Sequence, residues 1–351
     1  MPLRWIAAIA LIAVLAGGAA LYLMRPQDPD TPPADAEPAP AAPNPDNQTT
    51  AYPETDIAAG DLHGLYLDAG EAAPIVLIVP GSGPTDRDGN NPSFIRAATY
   101  RKLAEALAER GITTVRVDKR GLFSSAAAGD PNAVTVDIYA NDYRAWIDQI
   151  RSETDAPCIW LMGHSEGAMM VSAAAVGRSD VCGLILVSGA GRRLGDVLRE
   201  QLRANPANAP LLDQALHAIA ELEAGRHVDP ATLHPALLGL FHADVQDFLI
   251  SEFAVDPAAL VVKADRPTLV VQGLTDIQTG EQDARLLAAA PKARLALIEG
   301  VNHVLKHAPA DRAANIATYS DPDLPVAPEI VEAIAGFIAE RPSAPARAPA
   351  K

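Results

Sequence analysis

Six short apolar runs, each separated from the next by a longer stretch, constrain this chain more than any other feature: IVLIV (Ile75–Val79), ITTVRV (Ile112–Val117), CIWLM (Cys158–Met162), GLILV (Gly183–Val187), TLVVQ (Thr268–Gln272) and ARLALIE (Ala293–Glu299). Unbroken apolar runs rather than alternating ones belong to strands buried on both faces, as in parallel sheets covered by helices. The intervening segments carry helical period. Tyr100 to Arg110 places Leu103, Ala104 and Leu107 on one face and stops at Gly111, where a glycine C-cap ends a helix. Similar helices are expected over 136–151, 168–176, 282–289 and 330–339. The expected fold class is therefore α/β, a mostly parallel sheet with helices on both faces, over residues 57–341. Between about 190 and 265 the rhythm breaks into helix-like stretches without a strand, which predicts a helical lid inserted at the carboxyl ends of the strands.

The chemistry-bearing residues fall immediately after these runs. Gly163-His164-Ser165-Glu166-Gly167 joins the strand CIWLM to the small-residue helix AMMVSAAAV. A GxSxG between strand and helix is the pattern of a nucleophile elbow, a tight turn that projects the serine Oγ; without that context it is an ordinary turn. The flanking Gly163 and Gly167 permit the turn, so Ser165 is the candidate nucleophile. A serine hydroxyl needs a base to take its proton. Of eight histidines, His303 follows ARLALIE directly and shares the sheet edge with Ser165; His307, four residues on, is the competitor. An imidazole that becomes cationic needs a carboxylate beside it. Asp276 follows TLVVQ and completes the order Ser, Asp, His; Asp256 precedes that strand and Asp283 falls inside a helix. An oxyanion needs two N–H donors, expected from Glu166 after the nucleophile and Ser82 in the PGSGP loop after IVLIV. No GK[ST] follows that loop, so it is not a phosphate loop.

Taken together, PGSGPTDRDGN, VDKRG, GHSEG, VQGLTDIQT and EGVNHVLK resemble bacterial α/β-hydrolases of the carboxylesterase and serine-aminopeptidase-like group, over roughly 60–339. The resemblance implies the α/β-hydrolase fold and an ester-hydrolysing enzyme with Ser165, Asp276 and His303 as its triad. It also implies an ionic frame of Asp86, Arg87, Asp88, Asp118 and Arg120 behind the oxyanion loop, whose plain alternative is a surface charge cluster. The departure is at the N-terminal edge, where only the strand-like GLYL precedes Ile75. A peptidase acting on small peptides would need a carboxylate for the substrate amine, with Glu221, Glu223 and Glu252 available in the insertion. A non-catalytic binding module on the same scaffold is a third reading. A serine at the elbow argues against dehalogenase chemistry. The apolar stretch Leu237, Leu238, Leu240, Phe241, Phe248, Leu249, Ile250 and Phe253 either packs the lid or offers its inner face to an acyl group.

Charge and composition bound the partners. A net charge of −16 without a basic cluster excludes a polyanion partner such as nucleic acid and favours a small neutral or cationic substrate. No cofactor is expected, and no metal, since neither cysteine sits in a Cys/His cluster of ligand spacing. Cys158 and Cys182 begin neighbouring apolar runs, which permits a disulfide or leaves two small buried thiols. The uncharged run Trp5 to Met24 lies between Arg4 and Arg25. At about 1.5 Å per residue it can cross an apolar layer of about 30 Å. Residues 1–25 therefore read as a membrane anchor holding the catalytic domain on the extracytoplasmic side, or as a signal peptide of a secreted protein. Residues 26–56 and 342–351, rich in Pro and Ala, read as a disordered linker and tail. Oligomeric state is not legible.

Overall fold

A computed structural model describes residues 52–92 and 95–340. Eight strands form one sheet in the order β1-β2-β4-β3-β5-β6-β7-β8. They are β1 Glu54–Ala59, β2 Leu62–Leu67, β3 Ile75–Val79, β4 Thr113–Val117, β5 Ile159–His164, β6 Val181–Val187, β7 Thr268–Gly273 and β8 Ala293–Ile298. β1 and β2 form an antiparallel hairpin, β2 pairs antiparallel with β4, and every later pairing is parallel. All six expected runs are strands, with ends shifted by a few residues.

The opening hairpin, of which the sequence betrayed only GLYL, is present. Its first strand, ETDIAA, buries Ile57 alone, so it lacks the apolar run that marks the central strands. Because that strand begins at Glu54, the sheet includes residues three positions before the expected boundary at 57.

Helices return the chain between parallel strands. α1 Thr99–Ala108 and, as named below, the final helix α11 cover one face; α2 Val136–Thr154 and α3 Glu166–Ala175 cover the other. Thr135 caps α2 by accepting from the Ile138 N–H, and Asp137 in the first turn suits the positive helix end. Trp146, Ile147 and Ile150 on α2 bury completely against Leu77, Val115 and Leu161 of the sheet. On the opposite face, Leu103 and Leu107 meet Val76, Ile78 and Trp160. At roughly 1.5–3 kcal/mol per buried large side chain, these two layers supply most of the drive that holds the strand ends in register.

Between β6 and β7 lies the expected helical insertion: α4 Leu194–Ala204, α5 Leu212–Glu223, α6 Leu238–Phe241, α7 Ala243–Phe253 and α8 Pro257–Ala264. It has a core of its own, in which Leu198, Ile219, Leu222, Phe241, Leu249 and Phe253 pack together. The remaining helices are α9 Glu281–Leu287, α10 Arg312–Ala317 and α11 Pro328–Ala339.

Cys158 and Cys182 are joined in a disulfide with their Cα atoms 5.2 Å apart, at the ends of β5 and β6 where those strands begin. The expected anchor or signal peptide, most of the expected linker and the expected tail lie outside the described residues. Among the described residues, no helix is long and apolar enough to cross a membrane.

Candidate active site

β5 delivers Ser165 at its carboxyl end through a turn that only this sequence of small residues allows. A Cβ on Gly163 would lie 2.2 Å from the Gly167 carbonyl oxygen, and one on Gly167 would lie 2.6 Å from that of Val79. Both positions therefore require glycine. Ser165 itself adopts φ 55° and ψ −120°, a conformation that costs a non-glycine residue on the order of 1–3 kcal/mol. Two backbone bonds hold it there: its N–H donates to Val187 O at 2.9 Å, and its C=O accepts from the Ala168 N–H at 3.0 Å. Although Ser165 occupies the N-cap position of α3, its side chain makes no capping bond. The hydroxyl thus remains free to face the cavity it lines.

Asp276 and His303 come from the loops after β7 and β8. His303 Nδ1 donates to Asp276 Oδ2 at 2.8 Å, which fixes the tautomer and leaves Nε2 without its proton. The carboxylate is saturated. Its Oδ1 accepts the N–H groups of Gln278 (2.8 Å) and Thr279 (3.1 Å), and its Oδ2 also accepts from Gln272 Nε2 and Thr279 Oγ1. Burial alone would raise the Asp276 carboxyl, but its contact with His303 and these donors outweigh it and hold the group below the ordinary carboxylate range. Asn302, fully buried, pins the histidine loop by donating to Asn315 and Thr318 and accepting the Lys306 N–H.

The competitors lie elsewhere. His307 is an exposed partner of Glu329, Asp256 caps α8, and Asp283 is buried against Arg192. His303 and Ser165 line one cavity together with Gly81, Ser82 and His164. Among the described residues no hydrogen bond joins the Ser165 hydroxyl to His303; such contacts commonly tighten only when substrate is present.

The candidate oxyanion loop after β3 is held from two sides. Gly81 N–H donates to Tyr100 Oη at 3.0 Å, and Gly81 O accepts from Lys119 Nζ at 2.8 Å. Gly81 also abuts the elbow, since a Cβ there would lie 3.2 Å from the Ser165 Cβ. Tyr100 Oη lies 2.8 Å from His164 Nδ1, and His164 Nε2 lies 2.8 Å from the carbonyl oxygen of His303. A carbonyl only accepts, so Nε2 carries the proton and Tyr100 donates to Nδ1. One chain of bonds thereby connects the oxyanion loop, α1, the elbow and the histidine loop. Ser82 N–H has no acceptor among the described residues, as an oxyanion donor requires.

The sequence model of the alpha/beta hydrolase family matches residues 75–318, which span every loop just described. The chain belongs to that family. Among solved structures, the Pyrococcus furiosus esterase superposes with a TM-score of 0.52 at 14% identity, covering 87% of this chain and 96% of that one. Est1E of Butyrivibrio proteoclasticus with ferulic acid bound gives 0.50 at 18% identity, covering 82% and 98%. At these identities the likeness is one of fold. No curated protein sequence matches the chain.

In this hydrolase a second, larger cavity adjoins the first, a cleft of about 730 Å³ that opens to solvent and is lined by Ser82, Ser165, Glu166, Leu194, Leu198 and Glu252. Its apolar wall comes from α4. Of the apolar stretch considered for acyl contact, Leu237, Leu240, Phe241, Leu249 and Phe253 turn into the core of the insertion instead, and Phe248 packs on Tyr139. Glu252 is 2% exposed and its Oε2 has no partner; Oε2 of Glu166 is also unpartnered. Burial raises both carboxyls, and for Glu252 the neighbouring Glu166 raises it further. Glu221 and Glu223 are instead paired with Arg226 and Arg199.

Of the five residues expected in the ionic frame, Arg87, Asp88, Asp118 and Arg120 are ion-paired, whereas Asp86 instead accepts the backbone N–H groups of Asp88 and Asn90. Arg87 meets Asp118 through backbone and side chain, and Arg120 grips Asp142. Asp88 pairs with the fully buried Arg116, which also binds Glu54 of β1. Arg116, Lys119, Tyr100 and Gln272 are the working residues that sequence patterns passed over.

Proposed function

We propose that the protein hydrolyses carboxylic esters of short or medium acyl chains through an acyl-enzyme on Ser165. His303 Nε2 takes the hydroxyl proton as Oγ attacks the carbonyl carbon, and Asp276 stabilises the resulting imidazolium. The carbonyl oxygen, now negative, rests on the N–H groups of Ser82 and Glu166. Collapse breaks the ester C–O bond, and His303 returns the proton to the leaving alcohol. Water then repeats the cycle and releases the carboxylic acid. The observation that carries this reading is the saturated Asp276–His303 pair sharing a cavity with a strained, uncapped Ser165. A fluorophosphonate should label the wild type, which should also hydrolyse p-nitrophenyl esters; Ser165→Ala should lose both. A folded wild type that takes no label defeats the mechanism.

The two cavities divide the substrate. His303 must reach the leaving oxygen, so the alcohol departs through the cavity His303 lines, and the acyl chain occupies the larger one beside Leu194 and Leu198. Glu252 in that larger cavity favours a second reading, an aminopeptidase-like preference for acyl groups bearing an amine. An unpartnered buried carboxyl gains most from a cationic partner. Faster turnover of aminoacyl anilides than of p-nitrophenyl esters would reverse the order of the two readings.

We further propose an extracytoplasmic location, tethered or released according to the fate of residues 1–25. The disulfide supports it, since such bonds persist in oxidising compartments. Recovery of the protein in a cytosolic fraction with two free thiols would overturn this.

A further inference from the structure

Among the described residues, Lys119 is a buried cation near Ser165 for which the mechanism above has no use. It is 4% exposed, and its ammonium donates to the carbonyl oxygen of Gly81 at 2.8 Å. That carbonyl belongs to the same peptide unit as the N–H of Ser82. In a trans peptide the two bonds point in opposite directions, and no cis peptide occurs among the described residues. A cation fixed on the oxygen therefore sets the direction of the N–H. It also draws electron density toward the oxygen, which makes the N–H a stronger donor. The same ammonium stands 3.8 Å from Oε1 of Glu166, whose backbone N–H is the other donor. Tyr139 closes the far side, with its ring centroid 5.9 Å from Nζ.

We propose that Lys119 is a positioning residue for the oxyanion site: its charge orients and polarises the Gly81–Ser82 peptide, so that negative charge developing on the substrate oxygen meets a preorganised donor. This rests on the esterase reading of Ser165. Lys119 touches no reacting atom; it acts through the peptide. Its effect belongs to the transition state, where the oxygen is charged, rather than to the bound ester, where it is not.

Lys119→Met removes the charge and keeps most of the stem. With a p-nitrophenyl ester, kcat should fall about 10- to 100-fold, less than the about 10²- to 10³-fold typical of deleting a donor outright, while KM moves less than about threefold. An aryl trifluoromethyl ketone, which adds Ser165 and becomes an oxyanion, should lose affinity in proportion to kcat. The matching methyl ketone, which stays neutral, should not. Lys119→Gln, which keeps an uncharged donor one bond shorter on the same side of Gly81 O, should recover part of the loss, and it replaces the Met variant if that one does not fold.

A folded variant with wild-type kcat, or equal weakening of both ketones, overturns the proposal while leaving the esterase reading intact. A wild type that neither turns over esters nor binds the trifluoromethyl ketone overturns both.

Discussion

His164 commits both ring nitrogens to structure, one to Tyr100 and one to the carbonyl of His303, and this decides when it can take a proton. An unfolded histidine protonates near pH 6.5. In the fold, burial first and the nearby His303 second push His164 down to about 3. Between those values the unfolded chain binds the extra proton, so stability is lost as pH falls from about 6.5 toward 3, by at most about 1.4 kcal/mol per unit. Asp86 opposes this. Burial raises its carboxyl to about 6, so between its ordinary value and 6 the folded state holds the extra proton and stability falls as pH rises. The histidine's share is isolated by difference. From pH 7 to 4, urea midpoints of wild type should fall more steeply than those of His164→Gln, and parallel slopes would refute the assignment. At the acid end of that range Asp276, held below the ordinary carboxylate range in the fold, adds to the loss in both proteins alike, because the unfolded carboxyl begins to take a proton while the folded one stays ionised.

At the level of elements, legibility followed apolar runs rather than burial alone, since edge strand β8 buries only Ile298 and was still recognised. Strands such as β3 and β7 are buried at every position, so their runs announced themselves, whereas β1 lies at the sheet edge with a single buried side chain. The three candidate catalytic residues were legible because each directly follows a run. Lys119, Tyr100 and Gln272 were not. Lys119 and Tyr100 draw their roles from partners 38 and 64 residues away, and Gln272 ends a strand with nothing in its neighbours to mark it. Of the two readings of the insertion's most apolar stretch, packing of its own core holds for most of it, and α7 gives the larger cavity a carboxyl. Glu252→Gln tests that contribution. It should lower kcat/KM for a 6-aminohexanoyl ester about tenfold or more relative to the isosteric heptanoyl ester, leaving the latter within about twofold. An unchanged ratio in the variant removes Glu252 from acyl recognition.

Across the whole molecule, the sheet has two ends with different duties. Cys158 and Cys182 tie β5 to β6 where both strands begin, across a sequence separation of 24 residues, while Ser165 emerges where β5 stops. Closing a loop of that length stabilises the fold by about 3 kcal/mol through the unfolded chain. Reducing the bond, or replacing both cysteines by serine, should lower the chemical-denaturation stability by about that amount. Because the crosslink sits at the far end from the chemistry, kcat with a p-nitrophenyl ester should stay within about twofold below the unfolding transition. A large loss of kcat in a still-folded reduced protein would contradict this separation.

A single strand therefore works like a bowstring, knotted at one nock and drawn taut at the other. Surroundings that loosen the knot would shorten the working life of each molecule without changing the pace of any one turnover.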